Sequence, residues 1–75
     1  MIGEMRVLGA EGDTKHIWDS ENEDQVKAAK KLYDELTGKN YVAFQVDKKG
    51  EKGEKMKEFD KYAEKMILVP MIKGG

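Results

Sequence analysis

The chain has no cysteine and only one proline, one histidine, one tryptophan and one arginine (Arg6) among its 75 residues. Without cysteine there is no disulfide scaffold, no thiolate zinc site and no cysteine nucleophile. The fold is therefore expected to rest on packing alone, in a compartment that does not demand disulfides, and the cytoplasm is the expected location. No apolar run approaches the ~18 residues of a membrane-spanning helix, and the start Met1-Ile2-Gly3-Glu4 does not have the pattern of a signal peptide. An excess of one charge is missing too: 14 Lys and Arg face 15 Asp and Glu, a formal net charge of −1. That balance argues against a dedicated nucleic-acid binder, whose basic surplus shows at this size. Mass is also short. A pocket of ~300–1,000 Å³ needs walls, and one small domain supplies few, so an enzyme is not expected. The length suits a monomer.

What the chain does have is charge and pattern. Charged residues make up 39% of it, mostly Lys and Glu, as in thermophilic proteins and equally in very soluble small ones. Met5-Arg6-Val7-Leu8, a Gly/Asp-rich turn, and Thr14-Lys15-His16-Ile17-Trp18 read as an N-terminal hairpin. Val26, Ala29, Leu32, Tyr33 and Leu36 recur at steps of three and four, which predicts a helix from Glu21 to Thr37. Ser20 and Glu23 have capping-box spacing at its start, and Gly38 stands as the C-cap before Asn40. Glu23/Lys27, Lys30/Asp34 and Lys31/Glu35 are opposite charges four apart, each worth ~0.2–0.5 kcal/mol.

Tyr41–Val46 reads as a strand whose Val42, Phe44 and Val46 share a face expected to lie on the helix. Asp47–Glu54, with two glycines and three lysines, reads as a solvated loop. Met56 and Phe59 suggest a weak strand or one helical turn. Met66-Ile67-Leu68-Val69 is a continuous apolar run, expected to be a central strand covered on both sides, and Pro70 ends it. The expected fold class is α+β, two layers, a mixed sheet of four or five strands on one helix. If the first and last strands pair in parallel at the centre, it is a β-grasp. Residues 1–71 are expected to form the domain and 72–75 a tail.

Residues for catalysis are scarce. His16 lacks the second histidine, cysteine or spaced carboxylate that a metal site or base–orienter pair requires, and reads as structural or solvated. Asp47-Lys48-Lys49-Gly50-Glu51 lacks the alternating ligands and closing bidentate glutamate of a calcium loop. No helix-opening Gly-Lys-Ser/Thr follows Gly50 and Gly53, so no phosphate loop is formed. The lysines 48, 49, 52, 55 and 57 alternate with Glu51, Glu54 and Glu58 as a solvated surface does. No metal or cofactor is expected. Trp18 reads first as core; if exposed with Met66 or Met71 it would mark a partner surface, where Trp and Met are enriched.

The end of the sequence stands out. Gly74-Gly75 follow a short extended segment after an apolar strand, and at ~7% glycine two in the last two places arise by chance about once in two hundred chains. The run Leu68-Val69-Pro70-Met71-Ile72-Lys73-Gly74-Gly75 resembles the C-terminus of the ubiquitin-like family. Leu68 and Val69 match that family's aliphatic pair, Ile72 its tail aliphatic, Lys73 its basic residue, and Gly74-Gly75 its diglycine. Pro70 and Met71 stand where the family has an aliphatic and a basic residue. Length and element order are similar as well, while residue-level likeness is confined to these eight positions.

The resemblance implies a β-grasp fold. It also implies a partner enzyme that adenylates the Gly75 carboxylate and passes the acyl group to a thiol or sulfide, then to an amine on an acceptor protein or to a sulfur acceptor. Ile72 and Lys73 would be read by that partner. Two glycines suit the task, since a backbone without side chains threads a narrow channel. The expected function is a protein modifier conjugated or thiolated through Gly75, with sulfur carriers of the same superfamily as a close variant. The competing expectation is a non-covalent interaction module, such as a phage or mobile-element accessory protein, with an incidental diglycine. Neither nucleic acid nor membrane is an expected partner.

Overall fold

The expected hairpin, helix, third strand and last strand form, and the boundaries show which local forces set them. In a computed structural model, which describes residues 1–9, 12–46 and 52–71, β1 spans Ile2–Val7 and β2 spans Thr14–Asp19. They pair antiparallel, with Gly3 opposite Trp18 and Met5 opposite His16. Gly12, at φ 125°, closes the hairpin in backbone space open mainly to glycine. Helix α1 spans Glu23–Thr37, two residues shorter than expected at its start. The N-cap is Asn22, not Ser20: the Asn22 side chain accepts from the Gln25 N–H at 3.1 Å. Ser20 is drawn off by the chain's own amino terminus, which donates to its Oγ at 3.1 Å. Glu23 and Asp24 occupy the first turn, where carboxylates oppose the positive helix end. Of the expected helix ion pairs, Lys30–Asp34 forms at 2.8 Å. Gly38 is the C-cap in right-handed geometry, and the chain reverses at Asn40, φ 71°, a residue that tolerates the left-handed region.

Strand β3 spans Tyr41–Val46, β4 Lys52–Lys55 and β5 Lys65–Pro70. The sheet order is β2-β1-β5-β3-β4. β5 lies at the centre, parallel to β1 and antiparallel to β3. One helix on a five-stranded mixed sheet with first and last strands parallel at the middle is the two-layer α+β arrangement of a β-grasp.

The register corrects the expected orientation of β3. Ala43 faces Leu68, whereas Val42 faces Val69 and Phe44 faces Ile67. Tyr41 and Ala43 therefore join the helix-side core, while Val42 and Phe44 stand on the opposite face. Alternation establishes which residues share a face; pairing with β5 decides which face meets the helix, and the small Ala43 admits the closer approach. Val46 is buried beyond a register shift in the β3–β4 pairing.

The fourth strand also differs from expectation. It forms at Lys52–Lys55, not at Met56 and Phe59, which instead pack half-buried against the core. Gly53 is required there, because a Cβ would run into the Gln45 carbonyl oxygen. The rest of the expected loop, residues 47–51, lies outside the described residues, as does the tail 72–75.

The core is built around Met5, Trp18, Met66 and Leu68, each at most 1% exposed, with Ala29 and Tyr33 from the helix. Trp18 packs on Phe59 with ring centroids 5.3 Å apart and planes tilted by 53°, and Phe59 meets Tyr33 edge-on at 5.8 Å. The Trp18 indole N–H donates to the Lys61 carbonyl at 3.0 Å, so burying it leaves no orphan donor.

Candidate functional site

Side chains alternate across β5, and a single helix covers one side only. Met66 and Leu68 point under α1 and are fully buried. Ile67 and Val69 point the other way and stay half-buried, beside Phe44 and Val42 on β3 and Arg6 on β1. Strand pairing lines Arg6, Ile67 and Phe44 across the sheet in one row, with Val69 and Val42 in the next. Among the described residues no element packs over these rows. The continuous apolar run is thus central as expected, but only its helix side is sealed.

Next to the apolar rows lies a charged cluster. The Glu4 carboxylate sits between Lys15, 3.6 Å from Oε1, and Lys65, 3.7 Å from Oε2. One acid between two ammonium groups, with Arg6 adjacent, leaves this part of the open face cationic. A surface of aliphatic and aromatic side chains rimmed by positive charge can bind an apolar, acidic protein surface; it offers no general base or nucleophile.

Trp18 is core, as it first read, and the exposure on which a partner surface of Trp18, Met66 and Met71 depended holds only for Met71. Trp18 and Met66 are buried beneath the helix, since both alternate to the covered side, and neither is available for contact. Met71 is 57% exposed and follows β5 directly; its N–H donates to the Asn40 carbonyl at 2.8 Å, tethering the chain as it leaves the sheet. The expected tail-recognition pair Ile72 and Lys73 and the expected reactive pair Gly74 and Gly75 lie outside the described residues. His16 is exposed on β2. Among the described residues no group of His, Asp and Glu is placed to hold a metal ion, and no helix is long and apolar enough to cross a membrane.

The open-face rows were missed in the sequence, although a signal for them exists. Four consecutive apolar residues on a central strand need covers on both faces, and a chain with one helix has one cover. Half of that run had to face elsewhere. On the covered side, burial, with the charges of Asp34 and Glu58 added, raises the Tyr33 phenol above its ordinary value.

The fold and the open face together define a small β-grasp domain with a half-exposed apolar sheet surface. No protein-family model, curated protein or solved structure matches the chain.

Proposed function

We propose that the chain is a ubiquitin-like protein modifier, activated through the carboxylate of Gly75 and conjugated or thiolated by partner enzymes. The observation that carries the reading is the β2-β1-β5-β3-β4 order. The last strand runs through the sheet centre and delivers its end at an exposed Met71, four residues before Gly75. The β-grasp and the diglycine sequence are thus joined through a strand that cannot shift without dismantling the core.

In the proposed chemistry a Gly75 carboxylate oxygen attacks the α-phosphorus of ATP on the partner enzyme, and pyrophosphate leaves. A thiolate or sulfide then attacks the acyl carbon and AMP leaves. With an enzyme thiol the product is a thioester; an acceptor amine displaces the thiol and gives an amide. With sulfide the product is a thiocarboxylate. This chain supplies the unhindered acyl carbon and a docking surface, and the partners supply the catalytic groups.

Expression of an N-terminally tagged chain in its source cells tests the reading. It predicts tagged species of higher mass that survive boiling in denaturant, or an intact mass raised by exchange of one oxygen for sulfur. Deleting Gly74-Gly75 abolishes either product. Finding only the unmodified chain across growth conditions contradicts it. The apolar rows of the open face favour a second reading, a module that binds a partner without covalent chemistry. In that case binding survives loss of Gly74-Gly75 and falls when Ile67 is made polar.

A further inference from the structure

The two edges of the sheet are protected very differently. β4 is four residues long, contains Lys52, Gly53 and Lys55, and pairs with a register shift; short length, lysine and irregularity are the usual devices that blunt an edge. β2 is six residues long, regularly paired, and free of proline and bulges. The Ser20 N–H donates to the Met1 carbonyl at 2.8 Å, which makes that facing pair a hydrogen-bonded one. By the antiparallel alternation, Trp18, His16 and Thr14 also point their backbone groups at β1, and the Glu4 N–H accordingly turns the other way, to Glu64. Lys15, Ile17 and Asp19 therefore direct their N–H and C=O groups outward. The Asp19 N–H is covered by the exposed Gln25 side chain, whose Oε1 accepts at 2.9 Å. Lys15 and Ile17 are left as an open template.

The side chains of these same three residues lie on the open face. Ile17 is 60% exposed, and so is Ile2, its diagonal neighbour on β1 opposite Asp19. The edge thus reads Lys15, Ile17, Asp19: positive, apolar, negative. That sequence is its own complement when antiparallel. We propose that a second copy of this chain adds to the edge of β2, strand against strand, about a two-fold axis at Ile17. Ile17 then faces Ile17 of the second copy, with Ile2 of each copy flanking, and Lys15 of each copy faces Asp19 of the other. The alternative in which Lys15 faces Ile17 makes no Lys15–Asp19 pair, and the one centred on Lys15 sets the two lysines together; like charges directly opposite are unfavourable.

Each facing pair in the chosen register exchanges two backbone hydrogen bonds, and Gln25 yields the Asp19 N–H to the Lys15 carbonyl of the second copy. The helix does not block the approach. Between β2 and α1 lies a groove of about 300 Å³ lined by His16, Ile17, Gln25, Ala28 and Leu32, and Ala28, exposed and small, leaves space on the helix side. An interface of one strand per copy is small, so the dimer is a weak one. It stands independently of the conjugation reading, since β2 and Gly75 are different parts of the chain.

Sedimentation equilibrium of the full chain up to millimolar concentration, with register-specific crosslinking, tests the proposal. Ile17→Lys places two ammonium groups opposite each other and should weaken self-association by at least about tenfold while leaving the circular dichroism spectrum unchanged, because Ile17 is exposed. The chain has no cysteine, so Ile17→Cys introduces the only thiol. Across the axis the two Cα atoms fall about 5.5 Å apart, within disulfide range. Lys15→Cys puts its two thiols roughly 13 Å apart along the strands. Under mild oxidation the Ile17→Cys dimer should form at least about tenfold faster than the Lys15→Cys dimer, a difference of the size a well-populated register gives. A chain monomeric throughout, self-association untouched by Ile17→Lys, or equal crosslinking of the two variants overturns it.

Discussion

The two faces of this sheet are made from the same strands and have opposite fates. Under the helix, Met5, Trp18, Ala43, Met66 and Leu68 are sealed to 1% exposure or less. On the reverse, Arg6, Val42, Phe44, Ile67 and Val69 are comparably apolar in the main but only half-buried. The difference is arithmetic of cover: the one helix among the described residues can close one side. The covered face holds the fold, and the other is the one the proposed function assigns to recognition. Stability and function should therefore separate by side-chain parity along β5 and its neighbours.

Variants at opposite parities break or sharpen that separation. Trp18→Ala removes the largest sealed side chain, its ring contact with Phe59 and its bond to the Lys61 carbonyl; such truncations cost about 3–5 kcal/mol, a large part of what so small a domain has. Urea titration should find it largely unfolded or far less stable. Gly3→Ala comes next. Its Cβ would occupy the space of the Trp18 indole, and overpacking of this kind costs about 1–3 kcal/mol, read as a lower urea midpoint. Smaller again is a titration effect. The Tyr33 phenol is raised in the folded chain, so the unfolded chain releases this proton first. The stabilisation is complete below about pH 10 and is lost as pH rises from there through the folded value. Stability measured across that window should fall, and Tyr33→Phe should remove this component of the fall. Smallest is Ile67→Thr on the open face, which keeps the β-branched shape and should cost less than about 1 kcal/mol. A loss comparable to that of Trp18→Ala would mean that Ile67 is core after all.

The legible parts of the fold are those fixed by local pattern. The stripe Val26, Ala29, Leu32, Tyr33 and Leu36 specifies α1, and the run Met66–Val69 specifies a central strand. Capping was misread by two residues because Ser20 has a competitor for its hydroxyl, the amino terminus, brought near only by the β1–β2 pairing. Strand β4 was illegible because Lys52-Gly53-Glu54-Lys55 has neither apolar alternation nor β-branched residues; it is a strand by virtue of hydrogen bonds to β3. The face of β3 that meets the helix depends on register with a strand more than twenty residues away, which alternation within β3 cannot encode.

For the site, sequence led to the diglycine, whose residues lie outside those described, and to Trp18 and Met66, which the covered face claims. The rows of the open face follow from counting covers against apolar residues. That count uses the architecture, and becomes possible only once α1 is known to be the one helix among the described residues.

The central claim is that the Gly75 carboxylate is the reactive group. Intact-mass measurement of the chain purified from its source cells, beside a Gly75-deleted version expressed equally, addresses it most directly. The account predicts a fraction of the full chain joined to a second molecule, or carrying sulfur in place of one carboxylate oxygen, and none of either in the deleted version. Identical modification of both, or of neither, would contradict it.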